Sequence, residues 1–279
     1  MAAEQRRQRP GPSRSRGDAQ GGRPRRDRSK PPADRSRGDR SRDRRSAPPD
    51  DSGPRKPSGP EIPDDVTADQ LSGFVRRQLR SLPEGLAEAV GRRLVMAGRL
   101  IDEDPKLAYE HALAARRLAA RVGVVREACG ETAYAAGRYS DALSELRAAR
   151  RMTGSPAYLP IMADCERALG RPERAVKLSQ EPAVEQLDPA GRAEMTIVAA
   201  GARRDMGQLP AALQLLESAA SGSQAREPWV ARLRYAYADA LEAADRPDAA
   251  LEWFHRAVAA DDQSATDAAD RAAALEAGQ

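Results

Sequence analysis

Apart from Met1, large apolar side chains are absent from the first sixty residues of the 279-residue chain. That segment contains no Val, Ile, Leu, Phe, Trp or Tyr, whereas it contains sixteen Arg, two Lys, ten Pro and seven Gly. Because no apolar surface can be buried there, nothing offsets the entropy that is lost on ordering the backbone. The composition predicts a disordered, Arg-rich tail over residues 1–62. The rest of the chain has a net negative charge, because the net positive charge of the first sixty residues exceeds the +4 of the whole protein.

Residue types that carry catalysis or bind metals are scarce. The chain has two Cys and two His, and His111 and His255 are far apart in sequence. The sequence shows no nucleophile beside a base and no Gly-rich phosphate-binding loop. Cys129 and Cys165 lie in apolar helical patterns, which predicts buried, reduced thiols. We therefore expect a protein that is not an enzyme and has no cofactor and no metal site.

Long apolar runs are also missing. None approaches the ~18 residues that a membrane-spanning helix requires, and Met1 to Pro10 lack the apolar stretch of a secretory signal. These absences predict a cytoplasmic protein with no membrane contact. Arg outnumbers Lys forty-two to four and Ala is abundant, a bias that is typical of the codon usage of a high-GC bacterium.

A short pattern of small residues recurs four times in the remaining chain. The copies begin at Gly137, Gly170, Gly207 and Asp245, and each has an Ala five residues later. Those alanines are 33, 37 and 38 residues apart. In a sequence with helical periodicity, a period of this length indicates stacked helical hairpins with the pattern at the turn inside each one.

The best copy resembles the tetratricopeptide repeat (TPR) family. The residues at the signature positions are Gly130, Ala133, Gly137, Tyr139, Ala142, Leu146 and Ala149. Small residues at such positions let two antiparallel helices approach closely. In the second copy, Ser179 and Pro182 replace a large apolar residue and Ala, so its second helix is predicted to be short. The segment from Leu94 to Pro105 is also similar to TPR proteins of actinobacteria, a likeness that implies no activity.

The resemblance implies an all-α, right-handed superhelical solenoid of TPR-like hairpins, preceded by the disordered basic tail. Four regions are predicted: the tail over 1–62, N-terminal helices and a divergent first hairpin over 63–122, four TPR-like repeats over 123–262, and a capping helix over 263–279. Thr67 and Gln70 form a capping box that is predicted to open the first helix. The Ala-rich capping helix is predicted to run from Ser264 to Ala277.

The resemblance also implies a non-enzymatic scaffold or adaptor that binds a protein partner, because the first helices of TPR hairpins line a groove. The hairpin register places ten candidate side chains on that face: Glu127, Glu131, Tyr134, Asp164, Arg167, Arg204, Arg232, Tyr235, Asp239 and Glu242. Glu127, Glu131 and Asp164 stand where the family's clamp for a terminal carboxylate needs cations or amides. A basic or Arg-containing segment suits them better. The alternative is that these side chains only solvate the inner face.

The tail suggests a different function. Its Arg-, Ser-, Asp- and Gly-rich quasi-repeats contain Arg14, Arg16, Arg35, Arg37, Arg40, Arg42, Arg44 and Arg45. Arginine matches phosphate geometry, so the alternative is a protein that associates with RNA or DNA through its tail. That association is expected to be weak, because interspersed Asp lowers the field and no aromatic side chain can stack on bases. Two further alternatives are a solubilising linker and a tail that docks on the acidic groove. Nothing in the sequence indicates the oligomeric state.

Overall fold

A computed structural model describes residues 59–222 and 227–278. Contacts divide the chain after Ser52, so all the described residues belong to the unit Gly53–Gln279. The predicted disorder of residues 1–58 lies outside the described residues. The prediction is wrong for residues 59–62, which the structure describes and in which the Pro60 carbonyl accepts a hydrogen bond from Arg93. Within them the secondary structure is entirely helical and contains twelve α-helices: α1 (Gly73–Leu79), α2 (Glu84–Leu100), α3 (Pro105–Ala119), α4 (Gly123–Ala135), α5 (Tyr139–Thr153), α6 (Leu159–Ala168), α7 (Pro172–Ser179), α8 (Pro189–Asp205), α9 (Leu209–Ser221), α10 (Pro228–Glu242), α11 (Pro247–Val258) and α12 (Ala268–Ala277).

Five helical hairpins stack in chain order. Each helix from α2 to α11 packs against its neighbours in sequence, and α12 packs against α11. First helices of successive hairpins also touch, as α2 does with α4, α6 with α8, and α8 with α10. The first helices therefore follow one another along one side of the stack. The predicted fold class, an all-α superhelical solenoid of TPR-like hairpins, is confirmed.

The recurring small residue forms the turn inside each of the last four hairpins. Gly137, Gly170 and Gly207 have φ angles of 71°, 70° and 72°, and Asp245 in the fourth copy has 58°. The N–H of the following residue donates to the carbonyl five positions earlier, as in Arg138 to Ala133 at 2.8 Å. This is the Schellman arrangement, in which a left-handed residue ends a helix. Asp replaces Gly at the fourth turn because its short polar side chain tolerates that conformation.

Replacing Gly207 with Ala should lower the free energy of unfolding by about 1 kcal/mol, because Ala adopts the left-handed conformation poorly. A Cβ at Gly207 would meet no atom within 4 Å, so the cost arises in the backbone alone. Gly98→Ala is the matched control, since Gly98 also has open space around it but lies inside helix α2. In the control the free energy of unfolding should rise by about 0.5–1 kcal/mol. Urea unfolding measures both, and a loss of the same size in both variants would contradict this explanation.

Two element boundaries differ from the sequence prediction. Residues Ala68–Gln70 form only a 3-10 turn, and α1 begins at Gly73, where the Ser72 hydroxyl accepts a hydrogen bond from the Val75 N–H at 3.3 Å. The last helix begins at Ala268 and not at Ser264, because the Asp261 carboxylate holds the preceding loop by accepting from the backbone N–H groups of Ala265 and Thr266. The short second helix predicted for the second repeat is confirmed, since α7 ends at Ser179.

The extended segment before α1 is fastened to α2 by two arginines. Arg92 donates to the carbonyl oxygens of Val66 at 2.7 Å and Pro63 at 2.9 Å, and Arg93 donates to the carbonyl of Pro60. The Val66 side chain is fully buried. These contacts hold the beginning of the described chain against the first hairpin and so position α1.

Candidate functional site

Three of the ten predicted groove residues form a chain of contacts from α4 to α8. The Tyr134 hydroxyl donates to the Asp164 carboxylate at 2.7 Å, and Arg167 donates to the same carboxylate at 3.0 Å. Arg167 also donates to Asp205 at the end of α8, at 2.8 Å. These side chains therefore connect three successive first helices, and we call the surface that they share the first-helix face.

The C-terminal half of the first-helix face is paired in the same way. Arg232 donates to Glu194 of α8 at 2.8 Å, and Arg204 of α8 pairs with Asp239 of α10. Both ion pairs join the neighbouring first helices α8 and α10.

Helix α12 contributes an arginine to this surface. Arg271 donates to Glu242 at 2.6 Å, to Asp239 at 3.2 Å and to the Tyr235 hydroxyl at 3.1 Å. The hydrogen bond with Glu242, followed by that with Asp239, raises the pKa of the Arg271 guanidinium. Carboxylates and an aromatic hydroxyl of the first-helix face thus bind an arginine from the chain's own last helix.

Glu127 and Glu131 of α4 are the exception among the ten. Within residues 59–222 and 227–278, no cationic side chain forms an ion pair with either carboxylate. Burial raises the pKa of Glu127, and the negative charge of Glu131 raises it further. Burial also raises the pKa of Glu131, while a hydrogen bond from the Tyr158 hydroxyl partly offsets this. Both carboxylates are therefore desolvated without a compensating cation.

A small cleft lies beside these two carboxylates, and we call it the α1–α4 cleft. Its volume is about 260 Å³, and its lining is Leu71, Phe74, Val75, Leu94, Ala97, Gly98, Ile101, Val124, Glu127, Ala128, Glu131, Thr132 and Tyr158. Most of these side chains are apolar, and Phe74 is 57% exposed. The cleft combines an apolar wall from α1 and α2 with an acidic wall from α4.

Sequence reasoning missed the part of this cleft that comes from outside the repeats. Phe74 belongs to the apolar stripe of the first predicted helix, and nothing in that stripe distinguishes it from core residues. The sequence pattern carries no signal for it, because it predicts a first helix that begins after Thr67, whereas α1 has only seven residues. The hairpin register does not select Tyr158 either, because that residue lies in the turn that leads into α6.

The histidines and cysteines lie in structural positions. His111 is 1% exposed, and burial together with the nearby Arg93 lowers its pKa to about 4. His255 is on the surface and pairs with Glu276 at 3.1 Å. Cys129 and Cys165 are free and buried, as predicted, and burial raises the pKa of each thiol to about 12. Both thiols are therefore protonated at neutral pH and are not activated nucleophiles.

The described residues contain no cluster of three or more potential metal-ligating side chains. In the same ranges, no helix has the length and apolar character to cross a membrane. The candidate arginines of the tail, from Arg14 to Arg45, lie outside the described residues. Their association with RNA or DNA stays a prediction.

Two solved structures of TPR-like repeats are similar to this chain. The chain is similar to the crystal structure of the TPR-like repeats of a kinesin light chain from Podosopora anserina, with 18% identity over 70% of this chain and all of that one and a TM-score of 0.49. A point variant of that repeat protein matches with 19% identity, over 68% of this chain and 97% of that one, and a TM-score of 0.50. No protein-family model matches, and no curated protein matches by sequence.

The fold therefore defines a TPR-like helical-repeat protein. The actinobacterial, bacterial and cytoplasmic assignments stay predictions, because they rest on the sequence alone.

Proposed function

We propose that this protein is an interaction scaffold or adaptor that binds a basic segment of a partner protein on its first-helix face, at Glu127 and Glu131. The observation that carries the proposal is the difference between these two carboxylates and the others on the face. Asp164, Asp239 and Glu242 each have an arginine partner within the chain, whereas Glu127 and Glu131 have none among the described residues.

The energetics favour a cationic ligand at this position. A carboxylate that is partly buried without a cation loses hydration and gains no ion pair in return. An incoming guanidinium or ammonium group supplies that partner through charge-assisted hydrogen bonds. Arg271 illustrates the chemistry, since Asp239 and Glu242 of the same face bind its guanidinium.

Replacing both Glu127 and Glu131 with Gln should weaken the binding of a basic peptide about tenfold or more, equivalent to roughly 1.4 kcal/mol or more. The probe is a fluorescein-labelled peptide of Gly and Ser with three Arg, here named the Arg peptide, and fluorescence anisotropy measures its Kd. Glu103→Gln with Glu110→Gln is the matched control, because both of those side chains are exposed. The control should keep the affinity of the unaltered protein, and equal affinity in all three proteins would contradict the proposal.

The pH dependence provides an independent readout in the same experiment. Because the pKa values of Glu127 and Glu131 are raised, both groups lose their charge at a higher pH than ordinary glutamates do. Binding of the Arg peptide should weaken as the pH falls through that raised range. The free energy of unfolding changes in the opposite direction. Protonation of these two groups favours the folded state, and this contribution is lost as the pH rises through their folded-state pKa values. In the double Gln variant, this pair should contribute neither to the pH dependence of binding nor to that of stability.

A further inference from the structure

The α1–α4 cleft has features that the charge of Glu127 and Glu131 does not explain. Phe74 is 57% exposed, although it is one of only two phenylalanines in the chain. Along with Phe74, the apolar part of the cleft lining contains Leu71, Val75 and Ile101. Burying an apolar surface of this kind against another apolar side chain lowers the free energy.

The size of the cleft restricts what can occupy it. Its volume of about 260 Å³ is below the roughly 300–1,000 Å³ that is usual for small-molecule sites. It has room for one large side chain of a partner protein. A Cβ added at Gly98, in the α2 wall, would meet no atom within 4 Å, so the cleft is open on that side.

The composition of the tail argues against the tail as the source of the side chain that would occupy the cleft. The first sixty residues contain cations in abundance but no Val, Ile, Leu, Phe, Trp or Tyr. A segment of that composition can complement the charge of Glu127 and Glu131, but apart from Met1 it has no large aliphatic or aromatic side chain. The apolar wall and the acidic wall together therefore suit a ligand that the tail does not resemble.

We infer that the α1–α4 cleft recognises a partner segment in which Arg or Lys stands next to a large aliphatic or aromatic residue. The cation pairs with Glu127 and Glu131, and the neighbouring apolar side chain packs against Phe74 and Ile101. This inference rests on the proposed function, and it adds the second specificity element of the ligand. Charge alone attracts many basic segments, whereas the apolar wall selects among them.

The test compares the Arg peptide with an Arg–Leu peptide, in which Leu replaces the Gly or Ser beside the central Arg. The full-length protein should bind the Arg–Leu peptide about tenfold more tightly by fluorescence anisotropy. Phe74→Ser should remove that gain and leave the Kd of the Arg peptide unchanged. Gly98→Leu should also remove the gain, because the added side chain fills the open side of the cleft. Met152→Ser is the matched control, since Met152 is a similarly exposed apolar residue at 45% outside the cleft lining.

The outcomes separate this inference from the proposed function. If the Arg peptide binds but Leu adds no affinity, or if the gain survives in Phe74→Ser, the inference is overturned and the proposed function stands. If neither peptide binds, both are overturned. Sedimentation velocity of the same proteins tests whether a second copy of this chain occupies the cleft. A dimer that Phe74→Ser dissociates would make a second copy of this chain the occupant and would overturn the inference.

Discussion

Replacing Phe254 with Ala should lower the free energy of unfolding of the C-terminal hairpin by about 3–5 kcal/mol, the usual cost of removing a buried aromatic side chain. Phe254 is completely buried. Its ring contacts Tyr235 edge to face, with ring centroids 5.5 Å apart, and the Arg271 guanidinium lies 5.1 Å from its centroid. The substitution therefore removes the contact shared by α10, α11 and α12.

The loss should be local, because each hairpin of a solenoid contacts only its neighbours. Amide hydrogen exchange should speed up in α10, α11 and α12, while α2 to α5 keep their protection. Binding of the Arg peptide should be unchanged at temperatures where the N-terminal hairpins stay folded. Phe254→Leu is the control, with an expected loss below about 1.5 kcal/mol. Uniformly faster exchange along the whole chain would contradict this view of the stack.

Gly130→Val should lower the free energy of unfolding by about 2–3 kcal/mol, because an overpacked contact forces side chains and backbone apart. A Cβ at Gly130 would come within 2.3 Å of Leu146 Cδ2 and 2.5 Å of Leu146 Cγ. Leu146 is fully buried in α5, so it has no free direction in which to move. The close approach of α4 and α5 therefore depends on the absence of a side chain at Gly130.

A double-mutant cycle tests that cause directly. If the clash with Leu146 is responsible, the double variant Gly130→Val with Leu146→Ala should lose less unfolding free energy than the two single variants together. The difference should be at least about 1 kcal/mol. Gly85→Val is the control, since a Cβ at that helical glycine would meet no atom within 4 Å. Additive effects in the cycle would show that Leu146 is not the group that Gly130→Val displaces.

Local features of the fold were predictable where a few neighbouring residues decide them. The turn glycines follow from their spacing, since a residue with φ near 70° is almost always Gly, and the structure shows that conformation at all three. The short α7 follows from Ser179 and Pro182. The predicted capping box of Thr67 and Gln70 is present, but it opens the 3-10 turn Ala68–Gln70, and α1 itself begins at Gly73. Thr67 and Ser72 are both acceptable N-caps, and local pattern alone does not choose between them.

The candidate site was predictable in part. Helical register selected residues on the first helices of successive hairpins, and the structure pairs several of them between hairpins. That the ten residues form a binding site stays a prediction. Their partners were not predictable, since the contacts join positions in different hairpins, as with Tyr134 and Asp164 thirty residues apart or Arg204 and Asp239 thirty-five apart. Which carboxylates receive an arginine depends on how each hairpin is rotated against the next, and that rotation is a property of the whole stack.

By itself the sequence determined that this protein is a stack of helical hairpins, because the spacing of small residues acts through turn geometry and close helix packing, both of which are local. Only the tertiary structure decided which part of the first-helix face remains available. It pairs Asp164, Asp239 and Glu242 with arginines, and it leaves Glu127 and Glu131 without cations among the described residues. It also places Phe74 of α1 in the lining of the same cleft. Burial and ion pairing depend on distances between hairpins, and the order of residues along the chain does not specify those distances.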